Sequence, residues 1–175
     1  MLIIGKMVNP NRQTLLFSAT MPDDLANFTK VGLNNPVLVK LDKELRIPDT
    51  LQMDFFLIRN EDKDAMLINL LKGMKDKLVI VFVATKHHVE YLEYLTQAAQ
   101  INSAGMYGML DQTCRSEIMN MFRKKRRRVL IVTDLAARGL DIPMLDVVIH
   151  YNFSDTPKLF IHRSGRVARM GRPGN

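Results

Sequence analysis

Cysteine is nearly missing from this chain. A single thiol, Cys114, among 175 residues excludes an internal disulfide framework and any zinc site built from several cysteines. That scarcity fits a reducing compartment such as cytosol or nucleus. Long apolar runs are missing too. Nothing approaches the ~18 consecutive apolar residues of a membrane-spanning helix, and Met1-Leu2-Ile3-Ile4, cut short by Lys6, is too brief for a signal-peptide core. Acidic residues thin out towards the end. Residues 1–100 carry 12 Lys/Arg and 12 Asp/Glu, whereas residues 101–175 carry 13 and 6, so the net charge of +7 belongs to the last stretch. A one-sided basic balance points to a polyanion: nucleic acid, nucleotide or anionic lipid. What is present is ordinary. Hydrophobic content of 47% and charged content of 25% are those of a globular domain, and the 12 methionines scatter through apolar positions as core filler.

Periodicity predicts alternating strands and helices. Thr14–Phe17 reads as a short buried strand, residues 22–31 as a helix ended by Gly32, and 37–41 as an extended stretch. Residues 42–50 are charged and contain Pro48, which suits a linker. Phe55-Phe56-Leu57-Ile58 reads as a strand. Leu67, Leu70, Leu71 and Met74 mark a helix over 62–73. Leu78–Val83, Val129–Val132 and Val147–Ile149 are continuous β-branched runs, as in strands buried on both faces, and 104–107 is a weaker strand. Val89, Leu92, Leu95 and Ala99 mark one further helix. Cys114, Ile118, Met121 and Phe122 mark another, with Cys114 on its apolar side. Thr156 and Pro157 open a last helix over 156–169. Alternation of this kind predicts an α/β fold with a parallel sheet and helices on both faces. Ligands of such sheets bind beyond the C-terminal ends of the strands.

Chemistry clusters where that rule directs. His162-Arg163-Ser164-Gly165-Arg166-Val167-Ala168-Arg169 holds one imidazole and three guanidiniums. On a helix Arg166 and Arg169 share a face, with His162 one turn earlier, and two fixed forks suit a phosphate. The plain alternative is a solvated basic helix. After Val132 come Thr133-Asp134-Leu135-Ala136-Ala137-Arg138-Gly139-Leu140-Asp141-Ile142-Pro143. Thr133 can offer a hydroxyl to a phosphate, and Asp141 can accept from a ribose hydroxyl. The alternative is a capped loop, with Asp134 as N-cap and Arg138 as its surface partner. His87 and His88 point about 100° apart on a helix and make a poor metal chelate. Arg123-Lys124-Lys125-Arg126-Arg127-Arg128 reads as a solvated helix end, a non-specific RNA contact or a nuclear targeting patch.

Ser18-Ala19-Thr20, Thr133–Ile142 and His162–Arg169 resemble three motifs of the DEAD-box RNA helicases, in the family's order. Val81-Phe82-Val83-Ala84-Thr85-Lys86 resembles a fourth, and Gln112 with Arg115 a fifth. The resemblance implies two RecA-like domains in the intact protein, of which this chain holds little more than the second. There is no G-x-x-x-x-G-K-[ST] phosphate loop and no Asp-Glu-Ala-Asp. Residues 1–20 then form the tail of the first domain, 21–50 its end and the linker, and 51–175 the helicase C-terminal domain without its last strand.

The roles follow from the resemblance residue by residue. Arg166 and Arg169 are similar to arginine fingers that reach the γ-phosphate of ATP, and His162 to the residue that links nucleotide state to the domain interface. Gly139 and Asp141 match nucleotide-side positions, Asp141 being the ribose contact. Thr85, Gly108, Arg115 and Thr133 match positions on or beside RNA phosphates. Gln112 matches a position near the interdomain contact, and Ser18 and Thr20 the pair that couples hydrolysis to strand separation. ATP and Mg²⁺ are expected to be held mainly by the first domain, so this chain alone is expected neither to hydrolyse ATP nor to unwind RNA. Two positions depart from the pattern: Ala168 stands at a usual glycine, and Tyr107 at a common histidine. Residues 82–91, 107–112 and 141–145 resemble the nucleolar helicases of large-ribosomal-subunit assembly. That implies RNA, the first domain and pre-ribosomal proteins as partners, a nucleolar location and no membrane. The rival reading is a non-enzymatic RNA-binding scaffold that kept the fold; a DNA helicase is a weaker third.

Overall fold

Four β-branched or small-residue runs build one parallel sheet in this computed structural model, which describes residues 13, 15, 37, 39, 47, 50–137, 140, 142, 145–167 and 174. The chain divides into two compact units, residues 1–44 and 45–175. The elements expected before residue 50 lie outside the described residues, isolated positions apart. In the second unit β1 (Val79–Val83) is buried throughout, as are β2 (Ser103–Met106) and all of β3 (Val129–Thr133) but its last residue; β4 (Val147–His150) is only partly covered. Their order is β2-β3-β1-β4. Registers are parallel throughout: Val79 opposes Val129 and Val147, and Ser103 opposes Val129.

Alternate side chains of each strand leave opposite faces, and each face has its own core. Val79, Val81, Val83, Val129 and Ile131 pack with Leu67 and Leu71 of α1 (Lys63–Gly73) and with Val89 and Leu92 of α2 (Lys86–Ala98). Ile80, Phe82, Leu130 and Val132 pack with Met119 and Phe122 of α3 (Gln112–Arg123) and with Ala136 and Ala137 of α4 (Asp134–Ala137). The helices start where capping chemistry allows. Thr85 caps α2 by accepting from the His88 amide, Asp111 caps α3 by accepting from Cys114, and Thr156 caps α5 (Pro157–Ser164) by accepting from Leu159. The expected sheet with helices on both faces is present.

Three expectations change. Residues 55–58 join no strand among the described residues, and Phe55, Phe56 and Leu57 are exposed. The nearest pairing is one parallel bridge, Leu51 to Gly174. An apolar run becomes a strand only where a ladder partner lies beside it. The last helix stops at Ser164 rather than running to 169. Beyond it the amides of Arg166 and Val167 reach back three residues, to Arg163 and Ser164, so the α-helix tightens into 3₁₀-like turns. Cys114 is half-exposed rather than core, and its thiol leans on Asp111 at 3.4 Å.

Two side-chain networks fasten these layers. Asp64 of α1 accepts from the hydroxyls of Tyr91 on α2 and Tyr151 after β4, each at 2.6 Å. At the end of β4, His150 sits among Phe82, Phe153 and Phe160, its ring 4.9 Å from that of Phe160. Its Nδ1 is buried and has no hydrogen-bond partner among the described residues.

Two predictions follow from this packing. A Cβ added at Gly105 would lie 2.7 Å from Val89 Cγ1 and 2.6 Å from Glu93 Oε2. Glu93 can swing away, but Val89 is wholly buried. Gly105→Ala is therefore expected to lower stability by ~1–3 kcal/mol in urea denaturation. Burial, aided by the positive Arg163, pulls His150 down from 6.5 to about 4. The native state keeps the ring neutral while the unfolded chain protonates it, so stability is full above pH 6.5 and declines as pH falls towards 4. Melting temperatures measured across that range should fall in the wild type more steeply than in His150→Phe, which has no ring proton to gain.

Candidate functional site

Because all four strands run the same way, their C-terminal ends share one edge. Thr133 ends β3 opposite Val83, and Met106 of β2 lies opposite Val132. Thr85 stands two residues past Val83 and Gly108 two past Met106, so Thr85, Gly108 and Thr133 meet along that edge. Thr85 is exposed at the start of α2, where its hydroxyl also lies 3.1 Å from His88 Nδ1. Gly108 is exposed too; a Cβ there would come within 3.0 Å of Leu135 Cδ2. Gln112 opens α3 in an exposed position.

Arg115 is oriented by its own loop. Its guanidinium donates to the carbonyls of Leu110 at 3.2 Å, Tyr107 at 3.3 Å and Gly108 at 2.9 Å. It shapes the turn that presents Gly108. Cys114 is held towards its thiol form, because the hydrogen bond to the Asp111 carboxylate raises its pKa.

The centre of the site is a residue to which the sequence assigned no role. Arg163, on α5, is almost fully buried. Its Nε and Nη2 donate to the two carboxylate oxygens of Asp134, each at 2.7 Å, and its Nη1 donates to the Asn152 carbonyl at 2.7 Å. The guanidinium carbon lies 5.1 Å from the Phe82 ring centre. Asn152 continues the chain of bonds, its side chain accepting from the Ala84 amide at 3.0 Å. One arginine thus joins the ends of β1, β3 and β4. Asp134 is its partner; Arg138, expected as the surface partner of Asp134, lies outside the described residues. Sequence separation hid the pair; the one available signal was an aspartate directly after a buried strand.

Arg166 follows in the turn after α5, and its Nη2 donates to the Ala137 carbonyl at 3.2 Å. That contact puts its guanidinium at the C-terminal end of α4. His162 is exposed in the last turn of α5. Arg169, Gly139, Asp141, Ser18 and Thr20 lie outside the described residues.

Removing one partner of a buried ion pair strands the other, at a cost of ~3–5 kcal/mol. Arg163→Leu is expected to lower stability by about that much. Arg163→Lys should recover little, since an ammonium cannot reproduce the bidentate fork. Urea denaturation of both variants and of Arg163→Leu/Asp134→Leu checks this, with the double variant less damaged than the sum of its parts.

Comparison with known proteins agrees with this architecture. The helicase conserved C-terminal domain matches residues 62–171. The chain is 47% identical over 169 residues to DEAD-box ATP-dependent RNA helicase 29 of Oryza sativa subsp. indica, covering 95% of this chain and 20% of that protein. It is 47% identical over 174 residues to ATP-dependent RNA helicase DDX54 of Mus musculus, covering 98% and 20%. The chain therefore spans only a small part of those relatives. Among solved structures it is similar to S. cerevisiae Dbp5 bound to RNA and ADP BeF3, at 30% identity and a TM-score of 0.82, over 99% of this chain and 46% of that one. It is also similar to E. coli SrmB bound to RraA, at 37% identity and a TM-score of 0.62, over 65% and 67%. With a matching domain model across more than half its length, relatives at 47% identity along nearly all of it and a parallel sheet with helices on both faces, the chain belongs to the helicase C-terminal domain family, in the RecA-like form of the DEAD-box RNA helicases.

Proposed function

We propose that this chain is the C-terminal half of an ATP-dependent RNA helicase, which closes on a first RecA-like domain to complete an ATP site and grips RNA by its backbone. One observation carries the reading: Arg163 fastens the turn bearing Arg166 to the strand edge bearing Thr85, Gly108 and Thr133. A phosphate-seeking arginine and the RNA-side residues then move as one body. Relatives named ATP-dependent RNA helicases, and a similar fold solved with RNA and ADP BeF3, support it.

In this reading residues 1–20 belong to the first domain, 21–50 to its end and the linker, and 51–175 to the second domain. Ser18 and Thr20 couple hydrolysis to strand separation. Thr85, Gly108 and Thr133 meet RNA phosphates, with Arg115 shaping the Gly108 turn and Gln112 near the interdomain contact. Backbone contacts of this kind carry little sequence preference.

The donors present suit an anionic nucleotide. Arg166, anchored at Ala137, carries positive charge at the end of α4. In this reading Gly139 permits a close backbone approach, Asp141 accepts from a ribose hydroxyl, and Arg166 with Arg169 stabilises charge that develops on the phosphates. His162 relays nucleotide state to the interface. ATP supplies the phosphoryl group and the binding energy for closure, with Mg²⁺ held mainly by the first domain. Both ligands favour the closed form, so each raises the affinity for the other. The resemblance of residues 82–91, 107–112 and 141–145 to the nucleolar helicases of large-ribosomal-subunit assembly supports a role there, with pre-ribosomal proteins as partners.

The test is ATP hydrolysis by the full-length protein, with and without RNA, for the wild type and Arg166→Ala. RNA should stimulate turnover, and the substitution should reduce it by ~10³-fold or more. A wild type that binds RNA yet shows no RNA-stimulated turnover would overturn the reading in favour of a non-enzymatic scaffold.

A further inference from the structure

The opposite edge of the sheet carries a second concentration of charge. The N-terminal ends of β1 and β3 lie side by side, since Val79 opposes Val129. The turn before β1 follows Lys72 and contains Lys75, Asp76 and Lys77; the turn before β3 contains the basic run 123–128. Nine basic side chains thus face one acid. The two turns share a depression of about 400 Å³ lined by Lys75, Asp76, Lys77, Asn102, Lys125 and Arg128.

Structural work explains only part of this charge. Arg128 donates to the carbonyls of Met74 and Leu71 at 2.9 and 2.8 Å, closing the end of α1. Arg123 sits in the last turn of α3, where a cation complements the helix dipole. Arg127 is half-buried. Lys72, itself in the last turn of α1, remains with Lys75, Lys77, Lys124, Lys125 and Arg126. All six are exposed, and none has an ion pair among the described residues. The turn that carries three of them is itself firm. The amides of Lys125, Arg126 and Arg128 bond to Phe122, Met121 and Asn102, and Lys125 takes a φ of 57°. A firm turn presents its charges with little ordering cost.

We infer that this edge is a second RNA-binding surface, which takes the phosphate backbone of double-stranded RNA. The inference rests on the RNA-helicase reading for its choice of nucleic acid. Five-residue strands at ~3.3 Å per residue separate the two edges by ~16 Å, so this surface meets RNA other than the strand held at Thr85, Gly108 and Thr133. Aromatic side chains decide the form. Single-strand sites stack bases on exposed rings, whereas the segments 72–77 and 123–128 and Asn102 contain no aromatic residue, and Phe122 beside them is fully buried. A ring-free cluster of Lys and Arg reads backbone, as duplex RNA requires. The domain then holds a structured RNA at one edge while the other edge engages a neighbouring strand, and two linked contacts raise the effective concentration of the second.

The experiment is fluorescence anisotropy with the 175-residue chain, a labelled blunt RNA hairpin and a labelled single strand, each titrated across salt. The variants are Lys75→Gln/Lys77→Gln/Arg126→Gln on the basic edge and Thr133→Val on the other. The triple variant should bind the hairpin more weakly and lose about one unit of salt slope per removed contact, ~3 in all, while its single-strand binding holds. Unchanged melting temperature checks that the variant is folded. A triple variant that binds the hairpin like the wild type, with the same slope, overturns the inference. So does poly-glutamate that displaces the hairpin at equal charge concentration, which would make an acidic protein the occupant. Thr133→Val acts separately: a loss confined to the single strand speaks for the helicase grip whatever the triple variant does.

Discussion

Arg163 is a charge almost wholly withdrawn from water, and the functional edge is arranged around its satisfaction. Burying a guanidinium is tolerable only when its donors are met in good geometry. Here the Asp134 carboxylate takes two of them and the Asn152 carbonyl a third, with the Phe82 ring on one face. Those partners come from three different strand ends. Held together in this way, the strand ends cannot shift against one another without stranding a charge. The edge proposed to meet ligand is therefore positioned by a residue that points inward.

The sheet was legible because burial on both faces leaves a plain signature. Runs such as Leu78–Val83 and Val129–Val132 have no polar face, and β1 and β3 fall within one residue of them. The same logic failed at Phe55–Ile58. Apolarity says that a segment has something to bury, but a strand also needs a neighbour with free amides and carbonyls, and composition does not name that neighbour. The end of α5 was misjudged for a related reason. Arg166 and Val167 keep helix-like hydrogen bonding while tightening to a three-residue reach, a change of pitch too small for side-chain spacing to reveal. Cys114 sits at helical spacing from core residues, yet at the start of α3 its thiol turns to the capping Asp111.

The site was legible in position more than in role. Alternation of strand and helix was enough to direct attention beyond Val83 and Val132, and Thr85, Gly108 and Thr133 meet there. What spacing does not reveal is which arginines face inward. Arg163 and Arg166 lie three residues apart with the same chemistry, but one joins three strand ends and the other reaches the last turn of α4. Arg115 has the look of a phosphate ligand, and its guanidinium also holds the carbonyls of its own loop. The Arg163 and Arg166 contacts span 11 to 29 residues and are set by the way strands stack rather than by anything local.

A division of labour among arginines follows. Arg115, Arg128 and Arg163 each donate to backbone carbonyls at helix and strand ends, a task suited to a side chain with five donors in a fixed fork. Lysine would do it poorly, which explains why these interior positions are arginine while Lys72, Lys75 and Lys77 face water. Arg166 stands between the two groups. It leans on the Ala137 carbonyl, so its fork is oriented before any anion arrives, and less side-chain freedom remains to be lost when one does. An anchored arginine at the boundary of a rigid domain can meet a phosphate presented by another domain only when the two surfaces come together. In the proposed function, the nucleotide state is then read by the whole body to which Arg163 ties that turn, and the proposed RNA-side edge moves with it.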